Sequence, residues 1–271
     1  MKKVLVLYYS QSGQLERVMD RVVEPLQASD DVQCDYREIK PVKPYPYPWS
    51  LYTFFNVFPE AVALDGCEVE PVDVEGEYDL VILGYTAWFL SPSTPVTGFL
   101  KSDQGRKLLA GKPVVTVIAC RNMWLMAQEK MKKLLADIGA RLIDNVVLTD
   151  QGDALYTFVT TPRWMLTGKK EGFWFFPPAG ISEEEIVAAT RFGDRLCDAL
   201  KNNEEQGERA MLRGLGAVNV NGKLIASEKI GNRSFTIWSK LLKKAGAPNS
   251  LGRNVVMTLY IIFLLILIVT V

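Results

Sequence analysis

The stretch Val4–Val18, VLVLYYSQSGQLERV, decides the fold. Its first part, Val4 to Tyr9, is an apolar and aromatic run of the length a buried strand takes. Ser10-Gln11-Ser12-Gly13 interrupts it, and a helical spacing follows at once, with Leu15, Val18, Met19, Val22 and Val23 on one face. A strand that turns through two hydroxyls and a glycine into a helix is the opening unit of a parallel α/β sheet. The turn also has a chemistry. Serine hydroxyls donate to anions, a helix start supplies free amides and partial positive charge, and glycine lets the backbone close around them. The turn has no lysine, so it is not a Walker A loop, and it lacks the Gly-x-Gly-x-x-Gly of a dinucleotide fold.

Working outward, strands are predicted at Lys3–Tyr9, Val32–Ile39, Leu80–Gly84, Pro113–Ala119 and Leu142–Leu148. Helical spacing lies between them, as in Met126, Met131, Leu134, Leu135 and Ile138 before Gly139. Ser182 followed by three glutamates predicts a helix start, with the helix running to about Leu200. Alternating strands and helices predict a doubly wound, five-stranded parallel sheet within a domain spanning 1–202. Two proline- and aromatic-rich segments break the rhythm, at 41–59 and 155–178, and show neither period. They read as long loops, with a substrate wall and plain packing both open.

After Leu200, KNNEEQGE reads as a linker into a basic, partly amphipathic extension at 203–253. There Ser234–Lys244 sets Phe235, Trp238, Leu241 and Leu242 on one helical side and lysines on the other, as an interfacial helix needs. No acid occurs from Lys229 onward, while Lys229, Arg233, Lys240, Lys243, Lys244 and Arg253 are basic. The tail at 254–271 is uncharged and apolar. Its run Val255–Val271 would span about 25 Å as a helix, so a transmembrane or membrane-anchoring helix is expected. The basic flank would hold the domain on the cytoplasmic face of the inner membrane.

Composition excludes several classes. The 31 basic residues balance 31 acidic ones, so no global charge points to nucleic acid. The absence of histidine removes Ser-His-Asp and Cys-His catalysis and imidazole proton shuttling. Cys34, Cys67, Cys120 and Cys197 are isolated and form no metal-binding pair, so no metal is expected.

In an open parallel sheet a ligand sits beyond the carboxyl ends of the strands, where strand order reverses. Three segments meet that description. The first is Ser10, Gln11, Ser12, Gly13, Gln14 and Leu15. The second follows the third strand, with Gly84, Tyr85, Thr86, Ala87, Trp88 and Phe89, and the third follows the fourth strand, with Asn122, Met123 and Trp124. One phosphate nest and two aromatic loops suit a ligand with one phosphate and one large planar ring, which describes flavin mononucleotide (FMN).

From Met1 to about Leu200 the chain resembles flavodoxin-fold FMN proteins. Ser10-Gln11-Ser12-Gly13 matches the family's phosphate loop, with Leu15 where a threonine is usual, and Gly84–Trp88 matches its second flavin loop. The resemblance implies a flavodoxin-like strand order of 2-1-3-4-5 and a ring flanked by Trp88 or Phe89. KPYPYPWSLYTFFNVFPEAV, GAVNVNGKLIASEKIGNRSF and the apolar tail further resemble the dialkylresorcinol condensing enzymes. These accompany a ketosynthase in making aryl lipids, often near aryl-polyene pathways. That resemblance implies an aromatase-like oxidoreductase that converts a cyclic dialkyl dione to a resorcinol, with a hydrophobic substrate and a ketosynthase partner. For the proton, Tyr85, Asp150 and Asp153 are candidate acceptors and Arg121 a candidate oxyanion stabiliser, and spacing selects none of them. A membrane-tethered electron carrier or quinone reductase is an alternative reading, and a cofactor-less scaffold of the same fold is another.

Overall fold

The computed structural model describes residues 1–270, with side chains as far as residue 266. Five parallel strands form one sheet: β1 (Lys2–Tyr8), β2 (Val32–Glu38), β3 (Leu80–Tyr85), β4 (Pro113–Cys120) and β5 (Arg141–Thr149). Their spatial order is 2-1-3-4-5, every neighbouring pair is parallel, and the order reverses beside β1. This is the flavodoxin-like doubly wound arrangement. Each strand lies within one residue of its predicted bounds at either end; for β1, β3 and β4 near-continuous apolar runs mark strands covered on both faces, while the edge strands β2 and β5 are more polar and partly exposed.

The pleat sorts β1 between two cores. Val4, Val6 and Tyr8 face α1 (Gln14–Ala28) and the later helices α7 (Glu183–Ala188) and α8 (Thr190–Lys201). Leu5, Leu7 and Tyr9 face the opposite layer. That layer holds α3 (Thr94–Lys101), α4 (Asp103–Leu109) and α5 (Leu125–Asp137). Gly84, near the end of β3, shows how tightly α1 lies on the sheet. A Cβ there would stand 2.7 Å from the Met19 sulfur and 2.9 Å from the Tyr8 Cβ.

The aromatic segments are not simple loops. The first contains α2 (Leu51–Ala63), started by Ser50, whose hydroxyl accepts from the Thr53 N–H. The second contains α6 (Thr157–Thr167). Each carries an internal proline, Pro59 or Pro162, and the mixed aromatic spacing hides the helical period. The two segments meet, since the Trp49 N–H donates to the Met165 carbonyl at 2.9 Å.

The C-terminal extension folds back on the domain. Helix α9 (Ile225–Ala245) and helix α10 (Leu251–Thr270) pack on α2 through a third core of Phe58, Val62, Leu242, Met257 and Tyr260. Phe235 and Trp238 join this core, while Leu241 stays exposed, so only part of the expected apolar stripe is used. Arg253 is buried and donates to both carboxylate oxygens of Glu60, at 2.7 and 2.6 Å. The tail therefore begins as a docked helix. Among the described residues no helix is long and apolar enough to cross a membrane. The last part of the expected span, 267–271, lies outside the residues whose side chains are described.

Candidate functional site

The three loops expected at the site do lie at the carboxyl edge of the sheet, around the reversal point. Tyr8 is in register with Gly84, and the Tyr9 N–H donates to the Gly84 carbonyl, which sets the first two loops side by side. Gly13 adopts φ +77°, the left-handed conformation glycine takes freely, with open space where a Cβ would stand. Among the described residues, nothing accepts a hydrogen bond from the backbone N–H groups of Ser12, Gly13, Gln14 and Leu15. Ser10, Ser12 and Gly13 are half-buried. The Ser10 hydroxyl accepts from the Glu16 N–H at 3.3 Å and keeps its own proton to donate. In the adjacent loop, the Thr86 hydroxyl is buried without a partner. Four free amides and an orphaned hydroxyl at adjacent strand ends fit a single phosphate group.

Leu15 belongs to the site only through its backbone. Its side chain is buried in the α1 core, which explains an apolar residue at this position. Gln14 accepts from the Ile181 N–H, and the Gln11 amide donates to the Pro46 carbonyl at 2.9 Å, so the nest is braced from both sides.

The second loop is wound into a tight hairpin, Ala87–Trp88 against Ser91–Pro92. Phe89 and Leu90 at its turn both have positive φ, 51° and 58°, where hairpins ordinarily place Asn-Gly. Non-glycine residues held there cost on the order of 1 kcal/mol each. Packing holds them in place. Phe89 lies 4.8 Å from the Phe54 ring and 5.0 Å from Phe58, and Trp88 sits edge-on to Tyr45, Trp49 and Tyr9. Both rings thus face the aromatic insert. Tyr85 is fully buried and donates to Gln128 at 2.6 Å, and burial raises its pKa.

The third loop holds a feature that sequence reading missed. Glu228, on α9, is buried, and one carboxylate oxygen accepts from the Met126 N–H at 2.9 Å. It also faces the Trp124 and Leu125 amides at the start of α5. Burial raises its pKa, and those amides oppose the rise. Trp124 is buried, and the Asn122 amide reaches the Gly152 carbonyl at 3.4 Å. The Arg121 guanidinium donates toward the Met123 sulfur and stacks 4.1 Å from the centre of the Phe158 ring, with burial lowering its pKa.

Asp150 is buried and accepts from the Gly152 and Gly180 N–H groups, pinning the β5 loop to the segment before α7. Its pKa is raised by burial, with those two bonds and Arg121 acting against the rise. Asp153 is exposed. It borders an open groove of about 410 Å³ lined by Gly152, Tyr156, Trp174, Phe175 and Pro177. Of the four candidates for proton chemistry, Asp153 is the one on this groove.

No protein-family model matches the chain, and no curated protein matches it. Among solved structures it is similar to a flavoprotein from Lactobacillus acidophilus in complex with FMN. That likeness has 20% identity and a TM-score of 0.44, and covers 54% of this chain and 93% of that one. It is also similar to an oxidised flavodoxin from Bacillus cereus (14% identity, TM-score 0.38, covering 70% and 94%). A flavodoxin from Fusobacterium nucleatum bound to FMN is similar at 11% identity and a TM-score of 0.36, covering 74% and 99%.

Proposed function

We propose that this chain is an FMN-binding redox protein whose nest at Ser10–Leu15 takes the flavin phosphate. The observation that supports it most directly is the row of free N–H groups from Ser12 to Leu15 beside the unpartnered Thr86 hydroxyl. Ser10 and Ser12 add hydroxyl donors, and Gly13 keeps the cradle open. Bound FMN would supply a two-electron acceptor or donor. The chain's own part is to hold the phosphate, to order the neighbouring loops through Gln11, Gln14 and Asp150, and to keep the strained Phe89–Leu90 turn closed.

The finer reading is oxidation of a hydrophobic ring substrate, a cyclic dialkyl dione losing two hydrogens to become a resorcinol. Support comes from the resemblance of the Lys43–Val62 segment and the extension to dialkylresorcinol enzymes, and from the aromatic groove at the end of β5. Asp153, exposed on that groove, is the proposed proton acceptor. The C-terminal helix, whose Val255, Leu259 and Ile262 are exposed, would keep the protein at the cytoplasmic side of a membrane, near a ketosynthase partner.

The test is direct. Purified full-length protein should show the absorption of bound flavin, or regain it on reconstitution with FMN, and Ser12→Arg should lose it. Tight binding by Ser12→Arg would place the phosphate elsewhere. Anaerobic addition of a dialkylcyclohexanedione should bleach the flavin, and Asp153→Asn should slow that bleaching. Unchanged flavin beside rapid electron exchange with a reductase would favour an electron carrier.

A further inference from the structure

The segment Phe173–Phe176, FWFF, forms a tight two-residue turn closed by reciprocal bonds. The Phe173 N–H donates to the Phe176 carbonyl at 3.2 Å, and the Phe176 N–H donates back at 2.9 Å. At its tip Trp174 is 91% exposed and Phe175 71% exposed. Trp174 has φ +49°, a conformation that favours glycine. A large ring in that place adds strain and contributes almost no burial to the fold.

The base of the turn is rigid. The Arg163 guanidinium donates to the Lys169 and Glu171 carbonyls at 3.1 and 2.8 Å, and stacks 4.4 Å from the centre of the Phe173 ring. Phe173 stacks in turn on Phe176 at 5.0 Å. The two exposed rings are therefore presented on a braced support. Beside them, Leu155, Tyr156, Phe158 and Val159 leave a further apolar surface exposed at the start of α6.

We infer that this aromatic turn is a second lipid contact, inserting Trp174 and Phe175 into the interface of an anionic membrane. A projecting wedge of one tryptophan and one phenylalanine offers little flat area for a protein partner, whereas rings of this kind settle at the headgroup level of a bilayer. Lys169 and Lys170 precede the turn, with Glu171 the acid between them and it. Lys170 is paired with Glu183 at 3.6 Å, and on the extension Lys243 is paired with Asp65 and Arg253 with Glu60. The cations left to meet anionic lipid therefore include Lys169 beside the turn and Lys229, Lys240 and Lys244 on the extension. The inference shares with the tail reading only the presence of a membrane. It is independent of the phosphate nest, but Trp174 and Phe175 also line the groove of the proposed ring substrate, which would then open at the lipid surface.

The full-length chain is mixed with vesicles of phosphatidylcholine containing phosphatidylglycerol, and tryptophan emission is followed with acrylamide as an aqueous quencher. Trp49, Trp88, Trp124 and Trp164 are buried and Trp238 is half-buried, so the readily quenched component belongs to Trp174. Vesicles should protect that component and shift it to the blue, and Trp174→Ala should abolish the change. Trp174→Ala with Phe175→Ser should weaken partitioning by about a hundredfold or more, the range expected for losing two buried rings. Both positions are exposed, so the fold should survive. If the protein pellets with vesicles while Trp174 stays open to acrylamide, the inference is overturned and the tail reading stands. If nothing pellets, both fall. Protection of Trp174 without vesicles, growing with protein concentration, would assign the turn to self-association and also overturn it.

Discussion

Two helices begin at the carboxyl edge of the same sheet, and they treat their free amides in opposite ways. At α1 the N–H groups of Ser12 to Leu15 point to no acceptor within the described protein. At α5 the amides of Trp124 to Met126 are served by Glu228, a buried carboxylate reaching in from α9. Both ends have the electrostatics that attract an anion. One brings its own from 102 residues away, and the other leaves the place for a ligand. An uncapped helix start beside a neighbour so fully capped supports placing the proposed phosphate at α1. The covalently supplied carboxylate also ties the extension to the sheet edge, making α9 part of the frame around the proposed site.

The largest expected effect is at the open end. Ser12→Arg puts a long cation where the phosphate would lie and removes a hydroxyl donor, so FMN affinity should fall by about a hundredfold or more. That corresponds to two or more charge-assisted bonds. Flavin absorbance after dialysis measures it. Secondary structure should hold, because Ser12 is only half-buried.

At the closed end the effect is on stability. Glu228→Ala removes the acceptor for the α5 amides and leaves them buried, at a cost of about 2 kcal/mol. For a chain of this size that is a fall in Tm of several degrees, and Glu228→Gln should recover about half by restoring a neutral acceptor. Equal losses in the two variants would show that charge, rather than hydrogen bonding, holds this end.

Lys130, on the same helix, tests the charge balance there. It donates to the Ser91 hydroxyl at 2.7 Å, and burial lowers its pKa from 10.5 to about 8. The folded state thus favours the neutral amine more than the unfolded chain does. Lys130 contributes stability above pH 10.5 that is lost as pH falls toward about 8, below which the loss is constant. Lys130→Gln lacks this slope, so its stability relative to the wild type should rise as pH falls from 10.5 and level off below about 8. The gain should be about 1–2 kcal/mol, discounted for partial exposure. Denaturant midpoints measured across the alkaline range check both sign and window.

The position of the open end at the carboxyl edge of the sheet was legible in the sequence, and the closed end was not. Ser10-Gln11-Ser12-Gly13 carries its meaning locally, because hydroxyls, glycine and a helix start within six residues are the whole device. The strands were legible for the same reason. Glu228 lies far along the chain from the helix it caps, in a polar stretch that reads as an ordinary amphipathic surface, and no local spacing reveals a tertiary cap. Helices α2 and α6 were hidden differently. Pro59 and Pro162 and dense aromatics blur the period, and the packing of α2 on Phe89, with the bond from Trp49 ahead of α2 to Met165 in α6, overrides weak local preference. Leu15 stands where a threonine is usual in a phosphate loop, and its side chain is buried in the α1 core, which leaves only its backbone N–H for the proposed nest.

The smallest expected effect bears on the contrast itself. Inorganic phosphate should stabilise the wild-type chain through the α1 nest. At a concentration about ten times a weak Kd, the gain is about 1.4 kcal/mol by mass action. Ser12→Arg should lose that response, since its guanidinium would occupy the cradle. Glu228→Ala should gain a second, because the α5 amides would then be free in a space shaped for a carboxylate. Thermal melts of the three proteins against phosphate, with chloride at matched ionic strength, separate specific binding from screening. A Glu228→Ala protein no more responsive than the wild type would mean that burial, rather than occupancy, closes the α5 end. The two helix starts would then differ in access to solvent, and the carboxylate would matter for anchoring α9 alone.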